Sequence, residues 1–243
     1  MTHDLDALLA AGPPRSLRDI AFPRPLQVLV LAPHPDDFDA IGVTLRHLQA
    51  QGHAIHVAVL TSGASGVDDG FGGASDHLAK AALREAEQRE SCAFFGLPAQ
   101  RLQFLRLWED GSDDLAPLGT WMAARAADLL FLPHGNDSNR THRRTFEAVR
   151  MLATEQGIAA WACLNQDAKT QGMRIDLHCG FYDAEADWKA QLLRMHRSQQ
   201  ARNLRTRGSG FDERVLQVNR QAAQALGLAQ PFAEVFELLR LDA

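Results

Sequence analysis

Apolar residues run almost unbroken through positions 26–32 (LQVLVLA), and a similar texture returns at 54–63 (AIHVAVLTSG) and 128–133 (DLLFLP). Apolar runs of strand length without alternation are the pattern of strands covered on both faces, as in a parallel sheet. Between the first two runs, Ile41, Leu45 and Leu48 fall at helical spacing up to Gly52, a residue suited to the left-handed turn that ends a helix. Strand, helix and strand within about 35 residues make a βαβ unit, which implies parallel strands joined by a right-handed crossover.

The alternation continues down the chain. A glycine-rich loop at 63–73 leads into a long helix that ends near Gly96 and Pro98. LQFLRL reads as a short strand, LGTWMAARAA as a helix, and the region after Pro133 as a polar loop followed by a helix over 141–156. Strands are predicted near 159–164 and 173–181, helices at about 184–204 and 212–227, and a last strand at AEVFELL. Residues 1–25 read as a polar lead-in with one short helix, because Pro13, Pro14, Pro23 and Pro25 oppose regular structure. The expectation is a single three-layer α/β/α domain over 26–243, Rossmann-like in winding, with a mostly parallel sheet and a less regular C-terminal third.

Composition narrows the function classes. The 243 residues carry 25 basic and 30 acidic side chains, a formal charge of -5, which exerts no global pull toward nucleic acid or anionic membranes. Cys92, Cys163 and Cys179 are odd in number and widely spaced, so they read as buried thiols of a reducing compartment. The first residues carry acids where a secretion signal carries bases, and no apolar stretch approaches the roughly 20 residues of a membrane-spanning helix. A cytoplasmic enzyme or binding protein is expected, with homo-oligomerisation left open.

Candidate chemistry lies where the strands end. In open parallel sheets ligands bind beyond the carboxyl ends of strands, and PHPDDFD (33–39) sits there. One reading makes Asp36, Asp37 and Asp39 caps for the next helix. Yet one carboxylate suffices as a cap, and three like charges within four residues repel unless a cation offsets them. His34 and Asp37 can turn toward one centre with Asp36 beside it. The second polar loop behind an apolar strand, PHGNDSNRTHRRT (133–145), offers His134, Asp137 and His142. Two imidazoles and one carboxylate suit zinc with an open position for water, or alternatively ferrous iron. The glycine-rich loop lacks the lysine and spacing of a phosphate-binding loop, and reads either as a cover over substrate or as a plain connection. Arg197, Arg202, Arg205 and Arg207 concentrate near 196–208, where a solvated helix face competes with a hold on a phosphorylated or nucleotide-linked substrate.

These segments resemble the LmbE-like, or PIG-L, zinc-dependent deacetylases. APHPDDF is similar to that family's A-H-P-D-D-E segment with one extra proline, and NRTH matches its H-x-x-H segment in the final histidine. VLTSGASG, LREAEQRESCAFFGLP, FLRLWEDG and KAQLLRMHRSQ resemble its later segments in order, so the likeness covers about 26–200. The resemblance implies that His34, Asp37 and His142 bind the metal and that Asp36 is the general base. It implies that Arg84 contacts a sugar hydroxyl or phosphate, where the plain alternative is a surface salt bridge to Glu87. The implied substrate is a small N-acetylated sugar or glycoconjugate. Three departures stand out: Phe38 replaces a glutamate, Asn139 replaces the first histidine of H-x-x-H, and Thr141 replaces an aspartate. Asn139 can still donate a hydrogen bond to an oxyanion but cannot protonate a leaving amine, which leaves His134, His178 and Asp137 as candidates for that task. His196 and Ser198 read as residues that hold a late helix in place, and Asp39 as a helix cap.

Overall fold

A computed structural model describes residues 3–9, 12 and 14–241, in which eight strands form one sheet. They are β1 (Arg15–Ser16), β2 (Gln27–Ala32), β3 (Ala54–Val59), β4 (Leu102–Phe104), β5 (Leu129–Pro133), β6 (Ala160–Asn165), β7 (Leu177–Phe181) and β8 (Phe232–Leu241). The helices are α1 (His3–Leu9), α2 (Asp37–Ala40), α3 (Gly42–Ala50), α4 (His77–Phe95), α5 (Ala116–Ala123), α6 (Arg140–Glu155), α7 (Asp183–Arg194), α8 (Arg197–Arg207) and α9 (Phe211–Ala225). Strand order is β1-β7-β8-β6-β5-β2-β3-β4, with β4-β3-β2-β5-β6 all parallel and β8 antiparallel to both of its neighbours.

The apolar run of β2 divides between two cores because successive side chains leave opposite faces of a strand. Val28 and Val30 pack with Ile55, Val57 and Phe131, whereas Leu29 and Leu31 pack with Ala58, Leu130 and Leu132. Helices cover both faces, so the three-layer α/β/α arrangement follows from strands that have no solvated side. Asp76 caps α4 by accepting from the Ala79 amide at 2.8 Å, and Gly96, at φ 86°, ends that helix in the left-handed conformation that glycine reaches without strain.

Three expectations are corrected. The lead-in is less irregular than its prolines suggest: β1 joins the sheet edge beside β7, and Leu5, Leu9, Leu17 and Ile20 are buried in the main core. Pro13 lies outside the described residues. The helix predicted over 184–204 is two helices, broken at His196 (ψ 66°). The break has a cause: the fully buried His196 imidazole reaches Asp39 at 2.7 Å, while the Glu87 carboxylate accepts from the Ser198 amide at 2.7 Å and its hydroxyl at 2.6 Å. Those bonds take the place of helical continuity at the start of α8. Asp39 therefore caps nothing. It lies in the interior, where Gln88 Nε2 also donates to it at 3.0 Å.

Candidate metal centre and active site

Between β2 and β5 the crossovers change direction, and a sheet of this order opens a crevice at the carboxyl ends of those strands. The two polar loops meet there. His34 leaves the end of β2, Asp37 opens α2, and His142 stands in the first turn of α6, behind β5. The ligand atoms of these three residues lie within 4.8 Å of one another. Asp37 Oδ2 accepts from the His34 amide at 2.8 Å and sits 3.3 Å from His34 Nδ1, while its Oδ1 is 3.6 Å from His142 Nε2.

His142 also belongs to a second cluster, with Asp137 and Asp167, on its other nitrogen. Nδ1 is 3.1 Å from Asp137 Oδ2 and 3.9 Å from Asp167 Oδ2. An ionised Asp137 can only accept, so the imidazole gives it the Nδ1 proton and keeps the Nε2 lone pair for the His34–Asp37 side. In this tautomer the His34–Asp37–His142 group has a free imidazole lone pair to offer a metal, and Asp137 fixes the orientation of the His142 ring. Asp137 is itself fixed: buried, it accepts from the Asn139 amide at 2.6 Å.

Charge agrees with a cation at this point. Carboxylates of Asp36, Asp37, Asp137 and Asp167 surround the histidines, with Arg84 as the guanidinium among them. Burial pushes the Asp37 carboxyl up, but the His142 charge and the His34 hydrogen bond outweigh it and hold the group below the usual carboxylate range. Burial lowers the His142 pKa, yet Asp37, Asp137 and Asp167 raise it to about 9. The three carboxylates therefore favour positive charge at this imidazole. The donor set of two imidazoles and one carboxylate, with a carboxylate behind one imidazole, fits a divalent metal.

Asp36 stands beside the cluster in an unusual backbone state, φ 107° and ψ -23°. Such a conformation costs a non-glycine residue about 1–3 kcal/mol and persists where the surroundings impose it. Here α4 imposes it. Gln88 Oε1 accepts from the Asp36 amide at 2.9 Å, and Arg84 Nη2 donates to the Asp36 carboxylate at 2.9 Å and to the Pro35 carbonyl. Burial raises the Asp36 pKa, the Arg84 charge opposes that rise, and the Asp37 charge adds to it.

The remaining predicted residues sort by position. Arg84 is 2% exposed and makes no surface bridge to Glu87, which is spent on Ser198; its Nη2 holds Asp36. Asn139 is the N-cap of α6: its Oδ1 accepts from the Thr141 amide at 3.0 Å, which leaves its NH2 group for the cavity it lines. His134 is turned to Glu237 at 3.3 Å and His178 lies on β7, and neither lines the cavity. Phe38 is fully buried against Phe95, with ring centroids 4.9 Å apart. Gly63, Ser65 and Gly66 of the glycine-rich loop wall the cavity, and Arg205 ties that loop to α8 through Asp68. The cavity has a volume of about 700 Å³. Asp167 and Arg214, which also line it, were absent from the sequence reading. Asp167 follows β6, the next strand end beside β5, so the strand-end rule reaches it; Arg214 comes from α9, which no strand-end rule reaches.

The family model described as PIG-L: GlcNAc-PI de-N-acetylase matches residues 29–153. The comparison with curated proteins gives no match. Among solved structures the chain is similar to the N,N'-diacetylchitobiose deacetylase from Pyrococcus horikoshii, with 17% identity, 98% of this chain and 92% of that one covered, and a TM-score of 0.70. It is similar to the zinc-inhibited form of the teicoplanin deacetylase Orf2, with 13% identity, 88% and 98% covered, and a TM-score of 0.63. It is also similar to the 4-carboxy-2-hydroxymuconate hydratase GalB from Pseudomonas putida, with 16% identity, 88% and 96% covered, and a TM-score of 0.66. Likeness at these identities is likeness of fold, and since deacetylases and a hydratase share it, the reaction has to be read from side chains.

Proposed function

The chain belongs to the PIG-L, or LmbE-like, family, and on that premise we propose that it is a metal-dependent N-deacetylase acting on the acetyl or related acyl amide of an amino sugar or glycoconjugate. The observation that carries this reading is the meeting of His34, Asp37 and His142, from two loops far apart in sequence, beside a half-buried Asp36. His34, Asp37 and His142 would hold the ion, zinc or ferrous iron. Bound there, such an ion lowers the pKa of a water molecule and polarises the amide carbonyl.

The rest of the chemistry falls to the chain. Asp36 takes the proton of the attacking water, and the balance of burial against Arg84 suits a carboxylate that must accept a proton and then release it. Arg84 favours the ionised form of that carboxylate and, with Gln88 on the Asp36 amide, holds it in place. The NH2 group of Asn139 donates to the oxyanion that develops as the carbonyl carbon becomes tetrahedral. Because the nitrogen is too basic to leave as an anion, Asp36 returns its proton to it as the C–N bond breaks, releasing the amine and the free acid. Asp137 keeps His142 in the tautomer the centre requires.

Metal content measured on the purified chain and on Asp37→Ala and His142→Ala tests the centre. One equivalent of metal in the parent, lost in both variants, is the expected result. Full retention in both would remove these residues as ligands.

A further inference from the structure

The arginines of α7, α8 and α9 differ in their partners. Of those that do not line the cavity, three meet carboxylates, Arg194 with Asp212 at 2.7 Å, Arg197 with Glu90 at 2.7 Å and Arg205 with Asp68 at 2.7 Å, while the exposed Arg220 donates to Gln217 Oε1 at 3.3 Å. The three that line the cavity meet no carboxylate. Arg202, Arg207 and Arg214 form its α8–α9 wall, and among the described residues no carboxylate lies within ion-pair distance of any of them. Lys169, from the loop after β6, lines the same cavity.

Arg214 is half-buried, which makes its lack of a counter-charge costly. Its Nη1 is held at 2.7 Å by Asn203 Oδ1, and the buried Asn203 is fixed by donating to the Gln199 carbonyl at 2.8 Å. The guanidinium is thus oriented by a neutral acceptor, with its charge unspent. Burial and then the neighbouring Arg207 charge lower its pKa, while Asp167 and Asp36 pull the other way, so it shares the electrostatic environment of the catalytic end. Three guanidinium groups without a carboxylate partner, one of them half-buried, thus share the wall of a single cavity, and guanidinium forks are suited to the oxyanions of phosphate and carboxylate groups.

We infer that the substrate carries an oxyanion, a phosphate or a carboxylate, which Arg202, Arg207 and Arg214 hold in the cavity while its amide lies at the His34–Asp37–His142 end. This rests on the deacetylase reading for the identity of the reacting end.

The experiment compares neutral N-acetylglucosamine with its 1-phosphate and 6-phosphate, and with N-acetylmuramic acid as the carboxylate arm. Binding is measured by calorimetry and acetate release by steady-state kinetics, on the zinc-loaded full chain. The two readouts are repeated on Arg207→Gln/Arg214→Gln, with Arg197→Gln as the outward-facing control. At least one anionic sugar should bind and react tenfold or more better than the neutral one, and the double variant should lower that preference at least tenfold, mainly through KM. The control should keep the preference. The arm with the larger preference identifies the oxyanion. Equal handling of neutral and anionic sugars, or a preference that survives the double variant because the metal alone holds the anion, overturns the inference. If no sugar releases acetate, the deacetylase reading fails while calorimetry still decides the anion site: anionic sugars that lose their binding in the double variant support it, and anionic sugars that never bind sink it.

Discussion

Replacing Asp137 by asparagine isolates the link between the hydrogen bond behind His142 and the metal centre. Asparagine has nearly the shape of aspartate, and its carbonyl can still accept from the Asn139 amide, which now lies 2.6 Å from Asp137 Oδ1. Its NH2 group then faces His142 Nδ1, where Asp137 Oδ2 accepts at 3.1 Å. Two donors cannot share that position, so the imidazole moves its proton to Nε2 and loses the lone pair that points at the centre. Carboxylates behind metal-binding histidines are typically worth about 10- to 100-fold in metal affinity, or about 1.4–2.8 kcal/mol. Asp137→Asn should therefore weaken zinc binding by that factor in a competition titration against a chromophoric chelator, while the metal-free variant keeps its circular dichroism spectrum. Unchanged affinity would refute the tautomer argument and leave Asp137 as a loop fastener only.

Two further outcomes follow from burial and charge. Phe38→Ala empties a fully buried ring site against Phe95 and should cost about 3–5 kcal/mol, seen as a drop of about 10 °C in Tm; a fall of less than 2 °C would show that this position is not packed as described. The pKa of His142 in the metal-free protein is raised to about 9 from an ordinary 6.5, so its pairing with Asp37 and Asp137 stabilises the fold fully below pH 6.5 and loses that contribution as pH climbs through 9. Denaturant titrations of metal-free protein should show a loss on the order of 3 kcal/mol between pH 6 and 10, whereas zinc-loaded protein, in which the metal replaces the proton, should gain over the lower part of that range. The same pH trend with and without metal would contradict the assignment.

Much of the sheet was legible because its strands are buried on both faces and so read as plain apolar runs; 26–32 and 128–133 mark β2 and β5 within a residue or so. The ligand pairing was legible for a topological reason, since both loops follow such runs and the sheet brings them together. What sequence reading missed was carried by long-range polar contacts. Nothing local marks the break between α7 and α8, because it depends on His196 finding Asp39, 157 positions away. Asp39 reads as one more acid in a cluster, and only its burial separates it from Asp36 and Asp37. Likewise, the basic stretch at 196–208 is uniform in sequence, and the fold divides it into paired arginines outside and unpaired ones within. The polar lead-in hid Leu17 and Ile20 because prolines dominate its appearance, while two strand residues were enough to bring it to the sheet edge.

The most direct test of the central claim is acetate release from N-acetylated amino sugars, neutral and anionic, by the zinc-loaded chain and by Asp36→Asn, with free amine counted alongside acetate. Equal amounts of acetate and amine are expected from the parent chain, none after chelation, and a loss of at least a hundredfold in Asp36→Asn with its zinc retained. Turnover in Asp36→Asn equal to the parent, or a zinc-loaded chain that releases neither product from any of these sugars, would contradict it.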